Sequence, residues 1–279
     1  MKVWVNGRIC DEDDARVSPF DHGLLTGDGV FETVRAYRGR PFALERHLAR
    51  LKASGDGLGL QVPAAEVLTD GVNEAIEANG LSEARVRITV TGGRSPLGSV
   101  RGADDPLVIV AAAPHTDYDP DVAVAIAPWP KSERSAVAGL KTTSYAENVV
   151  ALAWARQRDA GEALFANLAG NLCEGTGTNL FLVVDGRLVT PPLSSGCLAG
   201  VTRALLVETL DIEEVDVPPS ALANASEAFL SSTTREVHPI RSVDGDLLAQ
   251  CPGPETERAA SAFRALVEAE VGDVRGYYN

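Results

Sequence analysis

The sequence predicts an α+β protein of two domains. Its 279 residues exceed one ordinary core and fall short of three. Both halves mix strand-like and helix-like stretches, and between them Pro114 to Asp121 is polar and turn-rich. This sets a smaller domain at 1–115, a linker at 116–121 and a larger domain at 122–279. Hydrophobic residues at 45% and charged residues at 23% suffice for a sizeable core.

Taken in order, VWVN, Gly7-Arg8 and IC read as strand, turn, strand. Val30, Phe31, Thr33, Val34 and Tyr37 predict a strand turned at Arg38-Gly39-Arg40. Leu44, Leu48 and Leu51 recur at helical spacing, and Gly55 and Gly57 are expected to end that helix. AAEVLTDGVNEAIEANG predicts a second helix, and ARVRITVTGG and DPLVIVAAAP two strands. Beyond the linker, VAVAIAPW predicts a strand. Ser144 and Glu147 make a capping-box pattern ahead of VVALAWAR. ALFANL and NLFLVV predict strands, with Asp185-Gly186 turning the latter into RLVTPP. GVTRALLVETL predicts a helix from Gly200. EAFLSSTT predicts a strand, SVDGDLL a hairpin at Asp244-Gly245, and ETERAASAFRALVEAEVG a terminal helix.

The formal net charge is -14 and no basic run occurs, so nucleic acid and anionic membrane surfaces are poor partners. The cysteines Cys10, Cys173, Cys197 and Cys251 are widely spaced and form no C-x-x-C pair. Neither a metal site nor a disulfide framework is expected, and reduced thiols suit a cytoplasmic protein. The start MKVWVNGRIC lacks the apolar stretch of a signal peptide, and no window approaches the roughly 18 apolar residues of a membrane span. There is no P-loop, no H-x-x-x-H pair and no G-x-S-x-G elbow.

Lysine occurs only at Lys2, Lys52, Lys131 and Lys141. Lys141, in GLKTTSY, lies between a strand and a capped helix, where an amine can be fixed for carbonyl chemistry; alone it is equally a surface lysine. Glu174, in CEGTGTN between two apolar strands, could hold a heterocyclic nitrogen protonated, or be an ordinary turn glutamate. Gly200-Val201-Thr202-Arg203 opens a helix whose N–H groups favour phosphate. Ser231-Ser232-Thr233-Thr234 could add donors. Arg50 lies off the leucine stripe of its helix and could reach the same anion, or be a solvated helix arginine.

Together these motifs resemble the class IV aminotransferase family, the fold-type IV enzymes that use pyridoxal 5'-phosphate (PLP). The likeness runs over nearly the whole chain: W-x-N-G, FDHGLLTGDGVFETVRAYRG, the H-x-x-R-L of His47 to Leu51, GLKTTSYAEN, CEGTGTNLF, LAGVTR and SSTTREVHPI. It implies a smaller N-terminal α/β domain, a larger C-terminal domain of mixed β-barrel character with flanking helices, a small amino acid-like substrate and a homodimer. Lys141 matches the Schiff-base lysine and Glu174 the acid on the pyridine nitrogen. Arg50, the backbone at Val201 and Thr202, and the side chain of Thr233 match the phosphate cup. Phe31, Arg87 and Thr234 match substrate-side positions.

Within the family, D-amino acid enzymes resemble this chain less: they carry a tyrosine at the position of Phe31 and an Arg-x-His trap where Leu97-Gly98-Ser99 stands. Branched-chain enzymes carry a tyrosine–x–arginine pair at Arg85-Val86-Arg87, of which only the arginine is kept. GLKTTSYAEN and SSTTREV look most like 4-amino-4-deoxychorismate lyases. This implies release of pyruvate and 4-aminobenzoate, in folate synthesis, with Arg87, Arg94 or Arg101 meeting the substrate's two carboxylates. The alternative is an aminotransferase, branched-chain or D-amino acid, that passes an amino group to a 2-oxo acid.

Overall fold

The computed structural model describes residues 1–103 and 105–272. Contacts divide the chain into two compact units.

Unit 1 opens with β1 (Lys2–Val5) and β2 (Arg8–Asp11), a short α1 (His22–Thr26), β3 (Gly29–Tyr37) and β4 (Arg40–Pro41). Helices α2 (Leu44–Leu58) and α3 (Ala65–Ala78) follow, then β5 (Ala84–Thr91) and β6 (Leu107–Pro114). The strands form one antiparallel sheet, in the order β2-β1-β6-β5-β3-β4. Alternation along the strands sends Val30, Val34, Val86, Ile88, Val90, Val108 and Val110 to one face. There they pack with Trp4, Leu48, Leu51, Leu68, Val72 and Ile76 into the core of the unit. The opposite face carries Phe31, Arg85, Arg87 and Thr89, paired in register as Phe31 with Thr89 and Thr33 with Arg87.

Two local features of unit 1 differ from expectation. The first hairpin turns at Asn6-Gly7, both with positive φ, rather than at Gly7-Arg8, because asparagine adopts the left-handed region almost as readily as glycine. Helix α2 runs through Gly55 and Gly57 and stops at Gly59, a left-handed cap whose N–H reaches Asp56 and Gly55 carbonyls. Gly55 is there for close approach instead: an added Cβ would sit 2.3 Å from Val62 Cγ2.

Unit 2 contains β7 (Val122–Ile126), α4 (Ala146–Arg156), β8 (Glu162–Ala166), β9 (Leu172–Gly175), β10 (Asn179–Val184) and β11 (Arg187–Thr190). It continues with α5 (Val201–Thr209), β12 (Glu213–Glu214), α6 (Pro219–Ala223), β13 (Ala228–Ser232), β14 (Glu236–Val243), β15 (Asp246–Leu247) and α7 (Pro254–Val271), the last as far as Leu266. The sheet, ordered β12-β11-β10-β13-β14-β7-β8-β9 with β15 on β14, is mixed and curls as a half-barrel. Its core joins Leu164, Leu172, Leu180, Leu182, Leu230 and Ile240, and a second, alanine-rich cluster packs α4 on β7 and β8.

The sequence assigns all of 122–279 to the second domain. Contacts instead group Leu140–Tyr145, and the described residues from Val267 on, with unit 1. The physical reason is a strand-like pairing at the sheet edge: Phe31 N donates to Lys141 O (3.0 Å), Thr143 N donates to Gly29 O (2.8 Å), and Thr142 bridges Val30. The Ser144 hydroxyl is drawn into the same attachment, donating to Gly27 O, and α4 begins at Ala146, one residue later than the capping box predicts. Strand β9, read from sequence only as a polar turn, is fully buried and pairs with β8.

Candidate active site

In unit 1 the edge segment fixes Lys141 from both sides of its peptide. Its N–H donates to the buried Ser54 hydroxyl at 3.1 Å, and its carbonyl accepts from Phe31. The amine lies 4.3 Å from the Phe31 ring centre and 5.9 Å from that of Tyr145. Those two rings meet edge to face at 5.3 Å, and the Arg87 guanidinium stacks 3.8 Å over Phe31. Lys141, Phe31, Arg87 and Tyr145 thus form one group: an amine and a guanidinium on an aromatic wall. Burial, with Arg85 as the next cation, pulls Arg87 below the ordinary arginine value; it stays charged in neutral water.

On the other face of β3, Glu32 is wholly buried. Its oxygens accept from Nε and Nη2 of Arg50 and from Nδ1 of His47. Burial alone would raise this carboxyl, but Arg50 and His47 outweigh it and hold Glu32 down at about 2. Burial pushes His47 the other way, below the usual histidine range, and the charge of Lys141 adds to that. His47 is therefore a neutral donor rather than a base.

In unit 2, Glu174 stands on β9 opposite Phe165 of β8. One oxygen accepts from Lys131 Nζ at 2.5 Å and the other from Leu198 N–H at 2.9 Å. Helix α5 starts at Val201 after Gly200, with no side-chain cap, and Val201 and Thr202 are buried. Gly200 is required by space: a Cβ would lie 2.0 Å from Asn179 Oδ1, and Asn179 in turn ties down Leu198 O. Ser231 stands beside Asn179 in the sheet, and among the described residues its buried Oγ has no hydrogen-bond partner; nor has Thr178 Oγ1. Thr234 is buried and meets the Tyr118 hydroxyl at 3.1 Å, while Thr233 lies in the same turn.

Unit 1 thus carries Lys141, Arg50, Phe31 and Arg87, and unit 2 carries Glu174, Val201, Thr202, Thr233 and Thr234. These residues fit PLP by their chemistry: an amine for the aldehyde, an acid for the ring nitrogen, and an uncapped helix start beside an unpartnered hydroxyl for the phosphate. The class IV amino-transferase model matches residues 29–243. The chain belongs to that family. It is a PLP-dependent enzyme of fold type IV.

The chain is 34% identical over 260 residues to a Methanocaldococcus jannaschii protein provisionally assigned as a branched-chain-amino-acid aminotransferase, covering 89% of this chain and 90% of that one. It is 29% identical to the D-alanine aminotransferase of Staphylococcus haemolyticus, over 96% and 98% of the two chains. The crystal structure of a branched-chain aminotransferase from Thermoproteus uzoniensis superposes with a TM-score of 0.89 at 32% identity, covering 98% and 97%. A Legionella pneumophila structure provisionally assigned as a 4-amino-4-deoxychorismate lyase matches at 22% identity and a TM-score of 0.86 over 92% and 97%, a likeness of fold alone. The relatives therefore favour the aminotransferase alternative over the lyase expected from the motifs.

Sequence reasoning missed Glu32, Ser54, Lys131 and Tyr145. A glutamate at an inward position of an apolar strand, with His47 and Arg50 three apart on one helix, was a usable signal for the first. The scarcity of lysine was one for Lys131. Arg101, weighed as a substrate contact, is engaged elsewhere: it clasps Asp28 through Nε and Nη2 and donates to the Leu58 and Gly59 carbonyls.

Proposed function

We propose that this chain is an aminotransferase that moves the amino group of an apolar α-amino acid to a 2-oxo acid. The observation that carries this reading is the group formed by Lys141, Phe31, Tyr145 and Arg87. An aromatic wall with a single guanidinium suits a substrate of one carboxylate and an apolar side chain. Of the three arginines weighed for a dicarboxylate substrate, Arg101 is committed to Asp28. The identities to branched-chain and D-alanine aminotransferases support the same choice.

When bound, PLP supplies an aldehyde that takes up amines and a ring that withdraws electrons from the substrate's α-carbon. Lys141 holds the cofactor and then carries the α-proton. Glu174 keeps a proton at the ring nitrogen. Arg50, the Val201 and Thr202 N–H groups and Thr233 bind the phosphate. Phe31 and Tyr145 exclude water around the Lys141 amine, and Arg87 and Thr234 meet the substrate carboxylate.

The active form is a homodimer in this reading. Phe20, Leu24, Leu97 and Val100 are exposed on two segments tied together by Ser95 N to Phe20 O and His22 N to Gly93 O, an apolar surface suited to a second copy.

The test is a substrate panel with 2-oxoglutarate and pyruvate as acceptors and leucine, D-alanine and 4-amino-4-deoxychorismate as donors. The reading predicts 2-oxo acid formed from leucine only when an acceptor is present. Pyruvate released from 4-amino-4-deoxychorismate without an acceptor would reject it.

A further inference from the structure

We propose that Lys131 is a positioning residue for Glu174 and sets how strongly that carboxylate holds a proton at the cofactor's ring nitrogen. The proposal rests on the reading that Glu174 meets that nitrogen.

The backbone brings Lys131 to this place. Its N–H donates to Ala166 O at 2.8 Å, and it bridges Asn167 at the end of β8. Asn167 is itself buried and holds its turn through Asn171 N–H and the Ser195 carbonyl. The Lys131 stem then runs past Phe165, with Nζ 5.8 Å from the ring centre, and Phe165 is the β-ladder partner of Glu174. Anchored at both ends, the ammonium is delivered to Oε1 of a carboxylate that is 7% exposed.

The charge arithmetic gives Lys131 its role. Lys131 and the Leu198 N–H take one lone pair on each Glu174 oxygen, so a further donor can still be accepted. Among the described residues, the thiols of Cys173 and Cys197 feel the charge of Glu174. Burial and the charge of Glu174 push both up, Cys173 to about 12, so both are neutral near pH 7. Lys131 is the cation that touches the Glu174 carboxylate directly. It shares the carboxylate's charge with the ring N–H and so weakens the hold on that proton.

The test compares wild type, Lys131→Met, Lys131→Arg and Glu174→Gln as PLP-loaded proteins. The readouts are the pH midpoint of the cofactor's visible absorbance and the affinity of the apoprotein for PLP. Lys131→Met is expected to raise the midpoint by about one pH unit, because a nearby cation that disfavoured protonation is gone. Lys131→Arg should restore the wild-type midpoint. A packing role alone would lower PLP affinity without moving the midpoint, and that result overturns the proposal. So does an unmoved midpoint in Lys131→Met alongside a shifted one in Glu174→Gln. If Lys131→Met does not accumulate as folded protein, Lys131→Gln removes the same charge and carries the same two outcomes. Wild type that shows no visible absorbance with PLP would instead reject the underlying reading of Glu174, and the proposal with it.

Discussion

Arg50 grips Glu32 with two parallel donors, Nε at 2.7 Å and Nη2 at 2.8 Å, and the carboxylate they share is cut off from solvent. A helix arginine proposed to bind phosphate is therefore held in place by a strand carboxylate, with His47 as the third member. Such a bidentate clasp fixes the plane of the guanidinium, which a single contact would not.

Removing Glu32 breaks this buried set and leaves a cation facing the core. Glu32→Ala is expected to destabilise unit 1 by about 3–5 kcal/mol, read from the denaturant midpoint. It should also weaken PLP binding more than pyridoxal binding, since only the former carries the phosphate.

The same carboxyl predicts an acid limb of stability. Held at about 2 when folded, against 4.5 ordinarily, Glu32 contributes stability that is fully present above about pH 4.5 and is lost as pH falls toward 2. The span amounts to about 3 kcal/mol. Glu32→Gln should flatten that limb in urea titrations run between pH 5 and pH 2.5; a limb as steep as in wild type would contradict the assignment.

Lys141→Ala should abolish the yellow colour that borohydride bleaches and lower turnover by on the order of 10²–10⁴-fold. A mutant that keeps a reducible chromophore would show that another amine holds the cofactor.

Arg87→Leu keeps a side chain over Phe31 and deletes the cation. Losing a charged hydrogen bond of about 1.5–3 kcal/mol to a carboxylate should raise KM roughly 10–100-fold, with PLP affinity unchanged. An unchanged KM would mean that Arg87 faces away from substrate.

Gly200→Ala places a methyl group against Asn179 Oδ1. Overpacking of this kind costs on the order of 1–3 kcal/mol. It should appear as weaker PLP binding together with a lower melting temperature, because Asn179 also holds the loop that delivers the Leu198 N–H to Glu174.

Elements with strong local signals were legible in the sequence. The 244–245 turn and α5 stand where their residues say, because positive φ at Asp244-Gly245 and a helix opening after Gly200 are decided within a few residues. What escaped was decided at a distance. Strand β9 reads as a turn because its partner β8 supplies the apolar context. Gly55 and Gly57 read as stops because nothing nearby in sequence reveals that Val62 and Leu140 press against them. Among the site residues, Lys141 and Glu174 stand out through their motifs, whereas Glu32 and Lys131 matter through pairs separated by 18 and 43 positions. Substrate preference was the hardest to read. Arg101 looks in sequence like one more anion binder, and only its hold on Asp28 removes it.

Because residues 140–145 supply an edge of the first sheet, the part of the chain made earliest on the ribosome is not finished until the chain has grown past residue 145. Until that short stretch emerges, Val30 and its neighbours wait with an open flank. A fragment ending at Thr116 would be a truncated fold rather than a separable module, and it would lack Lys141 as well.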